Sequence, residues 1–234
     1  MFSFENADKS WLPLLEGSRE MLESIHTAVS GDGFLPGAER VLRFSQVPLP
    51  RVRVVILGQD PYPQPGAATG RSFEVGGLAD WTKPFRQSSL RSIVRSVYGA
   101  YHTEIPTWNE VRAHIADGSF PIAPPDRFWD ALEEQGVLFL NAYLTVAPGK
   151  PGAHRALWLP FSHKLVRYID EAVPDCAWFL WGSDARGFAA DILHGRRYES
   201  RHPMLTGPWE DDFLKNPCFR ETKDQINWLG TSIS

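Results

Sequence analysis

The chain has only two cysteines, Cys176 and Cys218, among its 234 residues. Two thiols cannot form a disulfide framework, a four-cysteine zinc site or an iron–sulfur cluster. The histidines show no close pair at metal-ligand spacing, so the sequence predicts no metal site. No apolar run approaches membrane-spanning length, and the N-terminus lacks the basic and apolar regions of a signal peptide. We therefore expect a soluble, cytoplasmic protein without a membrane partner.

Two glycine signatures of nucleotide binding are also missing. No G-x-G-x-x-G follows the first predicted strand, and segment 182–187 lacks the Lys-Ser or Lys-Thr of a P-loop. An unrelated nucleotide-binding α/β enzyme would need such a fingerprint. The net charge of −4 gives no global positive field, so nucleic-acid contacts would need a local patch. Candidate cations for that patch, each also explained as solvated surface, are Lys83, Arg86, Arg91, Arg95, Arg155 and Arg201.

What the sequence does contain is a short apolar run, Val54–Leu57, that ends abruptly in Gly58-Gln59-Asp60-Pro61. A continuous apolar run of this length predicts a strand that is covered on both faces. Asp60 would then lie at the carboxyl end of a central strand, where open α/β sheets bind ligands.

Apolar runs alternate with helical periodicity along the rest of the chain. This pattern predicts an α/β fold over residues 1–234, in which helices cover both faces of a mainly parallel sheet. Predicted strands are Val54–Leu57, Ser72–Val75, Val137–Leu144, Cys176–Trp181 and Arg196–Arg201. Predicted helices are Trp11–Val29, Ala38–Phe44, Ser88–Tyr98, Asp126–Gln135, Pro160–Val173, Ser183–Leu193 and Thr222–Leu229. Segment Tyr101–Pro125 has a poor pattern and is expected to be an irregular insertion.

A polar residue lies in or just after each of four predicted strands: Asp60, Asn141, Ser183 and His202. In a parallel sheet these strand ends share one edge, so the four side chains would converge on one cleft. Each also has a structural explanation. Asp60 could form a turn or a helix cap, and the Asn141 amide could be hydrogen-bonded to backbone groups. Ser183 could be a helix N-cap, and His202 could be a surface or packing residue.

Together these segments resemble family 1 uracil-DNA glycosylase. Gly58–Tyr62 matches the family's water-activating motif G-Q-D-P-Y-H up to its last position, and Phe139–Val146 is similar to the uracil-reading strand L-L-N-x-x-L-T-V. Trp181–Ser183 resembles the Gly-Ser phosphate loop, and His202-Pro203 the start of H-P-S-P-L-S. Ser89-Leu90 resembles the end of the proline-rich loop. The motifs occur in the family's order and span most of the chain.

The resemblance implies a three-layer α/β/α fold with a central four-stranded, mainly parallel twisted sheet in a single domain, 1–234. It implies that Asp60 positions the attacking water and that His202 stabilises charge on the leaving uracil. Asn141 would read the uracil edge, Phe73 would stack on the flipped base, and Tyr62 would exclude thymine's methyl group. The implied substrate-binding set is Gln59, Tyr62, Phe73 and Asn141.

The resemblance also implies DNA contacts, and here the sequence departs from the family. Ser89, Gly182 and Ser183 would hold phosphates. Leu205 is favoured as the wedge that fills the vacated stack, with Met204 as the alternative. Pro63 stands where the family has His. Segment 83–88 replaces a proline-rich loop with charges, and segment 204–207 replaces Ser-Pro-Leu-Ser.

The implied activity is the release of uracil from single- or double-stranded DNA, which leaves an abasic site in base excision repair. A glycosylase must first take the base out of the stack. Because uracil leaves as an anion, we expect no metal or redox cofactor, and we expect a monomer. The departures keep two alternatives open: the same fold acting on another damaged base, and a non-catalytic binder of DNA or abasic sites.

Overall fold

The computed structural model describes residues 2–231. Four strands form one sheet in the order β2-β1-β3-β4, and all three neighbouring pairs are parallel. The strands are β1 Val54–Gly58, β2 Val137–Asn141, β3 Ala177–Trp181 and β4 Arg196–Ser200. The prediction of an α/β fold around a mainly parallel, four-stranded sheet is confirmed.

Nine α-helices surround the sheet in the described part of the chain. They are α1 Leu12–Glu16, α2 Arg19–Ser30, α3 Ala38–Val41, α4 Ser88–Tyr101, α5 Trp108–Ala116, α6 Pro125–Glu134, α7 Arg155–Ala172, α8 Ser183–Arg186 and α9 Cys218–Thr222. Short 3-10 helices are Lys9–Trp11, Arg43–Gln46, Leu49–Arg51, Ala189–Asp191 and Phe213–Lys215. None of the helices within residues 2–231 combines the length and apolarity that crossing a membrane requires.

Two apolar cores lie on opposite faces of the sheet, because successive side chains of a strand point to opposite faces. From β1, Val55 and Leu57 enter the core that contains α1, α2 and α7. Val54 and Ile56 enter the core that contains α4, α6 and α9. Every residue of β1, β2 and β3 is buried, which explains why these strands read as continuous apolar runs. The three-layer arrangement follows.

Several predicted boundaries differ from the structure. The predicted helix Trp11–Val29 is divided at Gly17-Ser18 into α1 and α2. The predicted helix Ser183–Leu193 ends at Arg186, and a 3-10 turn follows Gly187. The predicted helix Thr222–Leu229 is wrong, because α9 ends at Thr222 and residues 223–229 form turns and irregular backbone.

The predicted strand Ser72–Val75 is also wrong. The Ser72 hydroxyl donates to the Ile56 carbonyl at 3.0 Å, and Phe73 has a φ of 62°, so this segment bends across the end of β1. The segment Tyr101–Pro125 is more regular than expected, since it contains α5. Thr107 and Glu110 begin that helix with a reciprocal capping box.

Candidate active site

The carboxyl ends of β1 and β2 open into a cavity of about 160 Å³. Seven of the predicted site residues line it: Gln59, Asp60, Tyr62, Phe73, Ser89, Asn141 and His202. Gly58, Pro61, Pro63 and Pro151 complete the lining. Residues from six separate stretches of sequence therefore meet at the carboxyl ends of the strands.

Asp60 has one fixed carboxylate oxygen and one free one. Its Oδ2 accepts a hydrogen bond from the Gly152 backbone N–H at 2.7 Å and from Gln59 Nε2 at 3.2 Å. Its Oδ1 is buried and has no hydrogen-bond partner among residues 2–231. Burial raises the pKa of Asp60 to about 6, against the opposing effect of the Gly152 N–H. A buried acceptor without a partner is costly and is suited to hold a water or a ligand atom.

Gly152 belongs to loop 147–152, which the sequence analysis missed. Gly152 has a φ of 76°, and the Gly149 N–H in the same loop donates to the Pro63 carbonyl at 2.9 Å. The loop therefore holds both the Asp60 carboxylate and the backbone of the following segment. The Pro-Gly-rich composition of 148–152 signals a loop, but nothing local indicates a partner 92 positions earlier.

Asn141 ends β2, directly opposite Gly58 of β1. Its side chain is buried, and its amide makes no hydrogen bond to residues 2–231. The structural alternative, in which backbone groups pair with the Asn141 amide, is therefore not observed. A Cβ on Gly58 would lie 2.9 Å from Asn141 Oδ1, so glycine is needed there. The amide is available to give one donor and one acceptor to a ligand in the cavity.

Phe73 lies in the left-handed region of backbone conformations, which is strained for a bulky residue. Its ring centroid lies 5.5 Å from that of Trp181 and 6.1 Å from that of His202. The Tyr62 hydroxyl faces the Phe73 carbonyl at 3.5 Å, and burial raises the pKa of Tyr62. Phe73 and Tyr62 thus form the aromatic part of the cavity wall.

His202 follows β4 and faces the cavity with a defined tautomer. The Met204 N–H donates to His202 Nδ1 at 3.2 Å, so Nδ1 is the acceptor and the proton of the neutral ring is on Nε2. Burial lowers the pKa of His202, while Asp184 has the opposite effect. The ring packs on Gly182, where a Cβ would lie 3.1 Å from the His202 Cβ and φ is 94°.

A model of the uracil DNA glycosylase superfamily matches residues 44–222. The chain belongs to this superfamily. It is similar to the uracil-DNA glycosylase of Thermobifida fusca, with 30% identity over 92% of this chain and 88% of that protein. It is also similar to the uracil-DNA glycosylase of Mycolicibacterium vanbaalenii, with 34% identity over 86% of this chain and 79% of that protein.

Solved structures share the superfamily fold with this chain. The wild-type UNG crystal structure from Nitratifractor salsuginis matches with a TM-score of 0.70 and 22% identity, over 94% of this chain and 93% of that one. The mimivirus UNG variant Y322L in complex with UGI matches with a TM-score of 0.65 and 19% identity, over 84% of this chain and 70% of that one. These likenesses concern the three-layer fold.

Among the remaining predicted residues, Ser89 lines the cavity, and Gly182, Met204 and Leu205 contact His202. Gly182 is buried against His202, and Ser183 is exposed at the start of α8. Leu205 is exposed, and its N–H donates to the His202 carbonyl at 2.8 Å. Met204, the alternative wedge, is also exposed beside it. Ser89 lies in the first turn of α4 and lines the cavity.

A carboxylate that sequence reasoning missed lies next to Ser183. Asp184 pairs with Arg155 at 2.8 Å and accepts a hydrogen bond from the Tyr143 hydroxyl at 3.3 Å. An unpaired carboxylate there would repel a phosphate at Ser183, so the Arg155 pair makes the position compatible with an anion. Within the described residues, no three His, Cys, Asp or Glu side chains are grouped so that they could hold a metal ion.

Proposed function

We propose that this chain is a family 1 uracil-DNA glycosylase. It flips uracil out of DNA, hydrolyses the N-glycosidic bond and leaves an abasic site for base excision repair. The observation that carries the proposal is the convergence of three unsatisfied groups in one cavity. These are the free Oδ1 of Asp60, the free amide of Asn141 and the Nε2–H of His202. Membership in the superfamily supports the same activity.

Asp60 acts on the sugar side of the bond. Its free Oδ1 holds the attacking water, and its negative charge stabilises the positive charge that develops on the sugar. The water oxygen forms a bond to C1′ as the bond from C1′ to N1 breaks, and the bonding pair leaves with uracil. The proton of the water passes to Asp60. Above pH 6 the carboxyl is ionised and ready for this role.

His202 acts on the leaving base. Because Nδ1 accepts from the Met204 N–H, the neutral ring presents its Nε2–H to the cavity. A donor fixed in this way stabilises the negative charge on the uracil oxygen more in the transition state than in the ground state. No cofactor enters this scheme, because the base leaves as a stabilised anion.

The cavity wall selects the base. The Asn141 amide offers a donor to a uracil carbonyl and an acceptor to its N3–H, an arrangement that opposes cytosine's pattern. Phe73 stacks on the base, and Tyr62 limits the space beside its C5 position. Gln59 completes the substrate-binding set, and its side chain also contacts Asp60.

The DNA backbone is held by Ser89 and by Gly182-Ser183, and Leu205 enters the stack that the base leaves. The exposure of Leu205 and its bond to the His202 carbonyl support this assignment. We further propose that residues 1–234 act as one domain, as a monomer in the cytoplasm, on single- and double-stranded DNA.

Uracil release tests the function. Purified protein is incubated with a uracil oligonucleotide in the presence of a chelator, and free uracil and abasic-site cleavage are measured. We expect multiple turnover, and a loss on the order of 100-fold or more in Asp60→Asn. Asp224→Asn, at an exposed position away from the cavity, is the matched control.

Three results would contradict the proposal. Better release of another damaged base from a panel of modified oligonucleotides would favour the alternative substrate. Tight binding without turnover would favour a non-catalytic binder. Unchanged turnover in Asp60→Asn would remove Asp60 from the reaction.

A further inference from the structure

The loop that follows the cavity residue His202 carries several exposed apolar side chains. Six large apolar residues are exposed within residues 2–231, and three of them are Met204, Leu205 and Trp209. Trp209 is 39% exposed, whereas the other eight tryptophans are buried or partly buried. An exposed tryptophan indicates a binding surface, because burial of its large apolar ring is strongly favourable in free energy.

The Trp209 ring is held in place from several directions. The Arg201 guanidinium lies over the ring at 4.6 Å from its centroid, and Arg201 Nε donates to Asp211 at 2.7 Å. The ring also packs closely on Gly207, where a Cβ would lie 2.7 Å from a ring carbon. The Trp209 carbonyl accepts from Lys215 Nζ at 2.7 Å. An exposed ring fixed in this way loses little conformational freedom when it binds.

The loop that carries Trp209 is continuous with the cavity. Arg201, which stacks on the ring, is the neighbour of His202 in the sequence, and the His202 carbonyl binds the Leu205 N–H. The wedge position and the tryptophan therefore belong to one loop that leaves the base pocket. We therefore expect DNA whose base occupies the cavity to contact this loop.

We propose that Trp209 is a stacking platform for an unpaired nucleobase of the DNA, next to the nucleotide whose base enters the cavity. The proposal rests on the proposed function. Base stacking on an aromatic ring suits any base, because every base has a π-face. The Arg201 guanidinium, which lies on the ring and is paired with Asp211, strengthens the platform through a cation–π contact.

Stacking, rather than net charge, provides the binding at this platform. Asp211 is already paired with Arg201 and lies 3.7 Å from Arg186. Asp212 accepts from the N–H groups of Gly207 and Leu214. Glu210 is exposed beside Trp209 in the sequence and repels phosphate. We therefore expect Glu210→Gln to strengthen DNA binding modestly.

The test is a coupling experiment between the ring and the base that it stacks on. Single strands carry 2′-fluorodeoxyuridine, which resists cleavage, and each flanking nucleotide is replaced in turn by an abasic analogue. In the wild type, removal of one flanking base should weaken binding about 10-fold. In Trp209→Leu the intact strand should bind about 10-fold more weakly, and removal of that base should add no further loss. Trp209→Phe should retain part of the coupling.

Leu193→Ala is the matched control. Leu193 is 79% exposed and precedes β4, at the end of the strand opposite to His202. It should leave every affinity unchanged. A purely structural role for Trp209 predicts weaker binding of all strands with equal losses at every flanking position, and that result would overturn the platform. Tryptophan quenching by acrylamide gives a second readout, because DNA should protect the exposed ring in the wild type and change little in Trp209→Phe.

Uracil release by the wild type separates the two proposals. Release without base-specific coupling at Trp209 would reject the platform and leave the glycosylase function intact. Coupling without uracil release would keep the platform and reject the function.

Discussion

The Gly152 backbone N–H donates to Asp60 Oδ2 at 2.7 Å, across 92 positions of sequence. This bond leaves Oδ1 as the free oxygen of the carboxylate, inside a cavity that also contains Asn141 and His202. The N–H favours the ionised form of Asp60, whereas burial opposes it, and burial is the larger effect. Loop 147–152 therefore orients the proposed water-positioning residue and partly offsets the effect of burial on its pKa.

The first prediction concerns the Gly152 amide proton as a reporter of Asp60. In ¹⁵N-edited NMR spectra the Gly152 amide should move with pH, with a midpoint near the Asp60 pKa of about 6. The physical reason is that a charged acceptor polarises the N–H more than a protonated one. Asp60→Asn should abolish the transition, and the Gly136 amide, which donates to the Glu133 carbonyl, should show none near this pH. A pH-independent Gly152 amide in the wild type would contradict the bond.

The second prediction concerns stability against pH. Because the folded-state pKa of Asp60 is raised from 3.8 to about 6, folding favours the protonated carboxyl. The stabilisation from the protonated Asp60 carboxyl is complete at pH values below the pKa of Asp60 in the unfolded chain. It is lost as the pH rises through the pKa of Asp60 in the folded protein. Asp60→Asn should thus have a higher Tm than the wild type near neutral pH. We expect a difference of about 2–4 °C, which corresponds to about 1 kcal/mol of unfolding free energy, because partial solvent access reduces the cost of burying the charged carboxylate. The difference should disappear near the unfolded pKa in a thermal melt series, and a pH-independent difference would contradict it.

The third prediction concerns the acid limb of activity. Asp60 must be ionised to accept the proton of the water, so kcat/KM should fall tenfold per pH unit below a pH of about 6. Burial lowers the pKa of His202, which favours the neutral ring that the proposed mechanism requires. Steady-state uracil release across pH measures the profile. A limb near the ordinary aspartate pKa would place the acting carboxylate in a more exposed environment.

Much of the fold could be predicted because burial on both faces leaves a simple pattern. The strands β1, β2 and β3 are fully buried, so each one reads as an apolar run. Parallel order then brings the residues after each strand to one edge, which places Asp60, Asn141 and His202 together. The polar edge strand β4 was predicted to within one residue, although its burial is mixed.

The details of the site depend on contacts that no local pattern encodes. Ser72-Phe73 has strand-like composition, but a hydroxyl bond to Ile56 and a φ of 62° at Phe73 override that propensity. The contact between Gly152 and Asp60 joins distant segments, and only the folded sheet brings them together. The exposure of Trp209 among nine tryptophans is likewise a tertiary property.

The fourth prediction compares two glycines with similar backbone conformations. Gly182 and Gly118 have φ values of 94° and 81°, so alanine should cost each about 1 kcal/mol of unfolding free energy. A Cβ on Gly182 would lie 3.1 Å from the His202 Cβ, whereas a Cβ on Gly118 meets nothing within 4 Å. Gly182→Ala should therefore move His202 and lower kcat about 10-fold or more, while Gly118→Ala keeps full activity. Equal activity in both variants at matched stability would show that the imidazole position does not depend on Gly182.

The last prediction concerns the amide that reads the base. Asn141 is buried and directly opposes Gly58, so Asn141→Asp places a carboxyl of the same shape in the cavity. A carboxylate offers only acceptors, so it repels a uracil carbonyl and accepts from the amino group of cytosine. Uracil release should fall on the order of 100-fold or more, because a polar site left unpaired rejects its ligand strongly. Cytosine release should become measurable from single strands, where no pairing has to be broken. Asn141→Ala separates the two effects, since it should lose uracil release without gaining cytosine release. Full uracil release in Asn141→Asp would mean that the Asn141 amide does not contact the base.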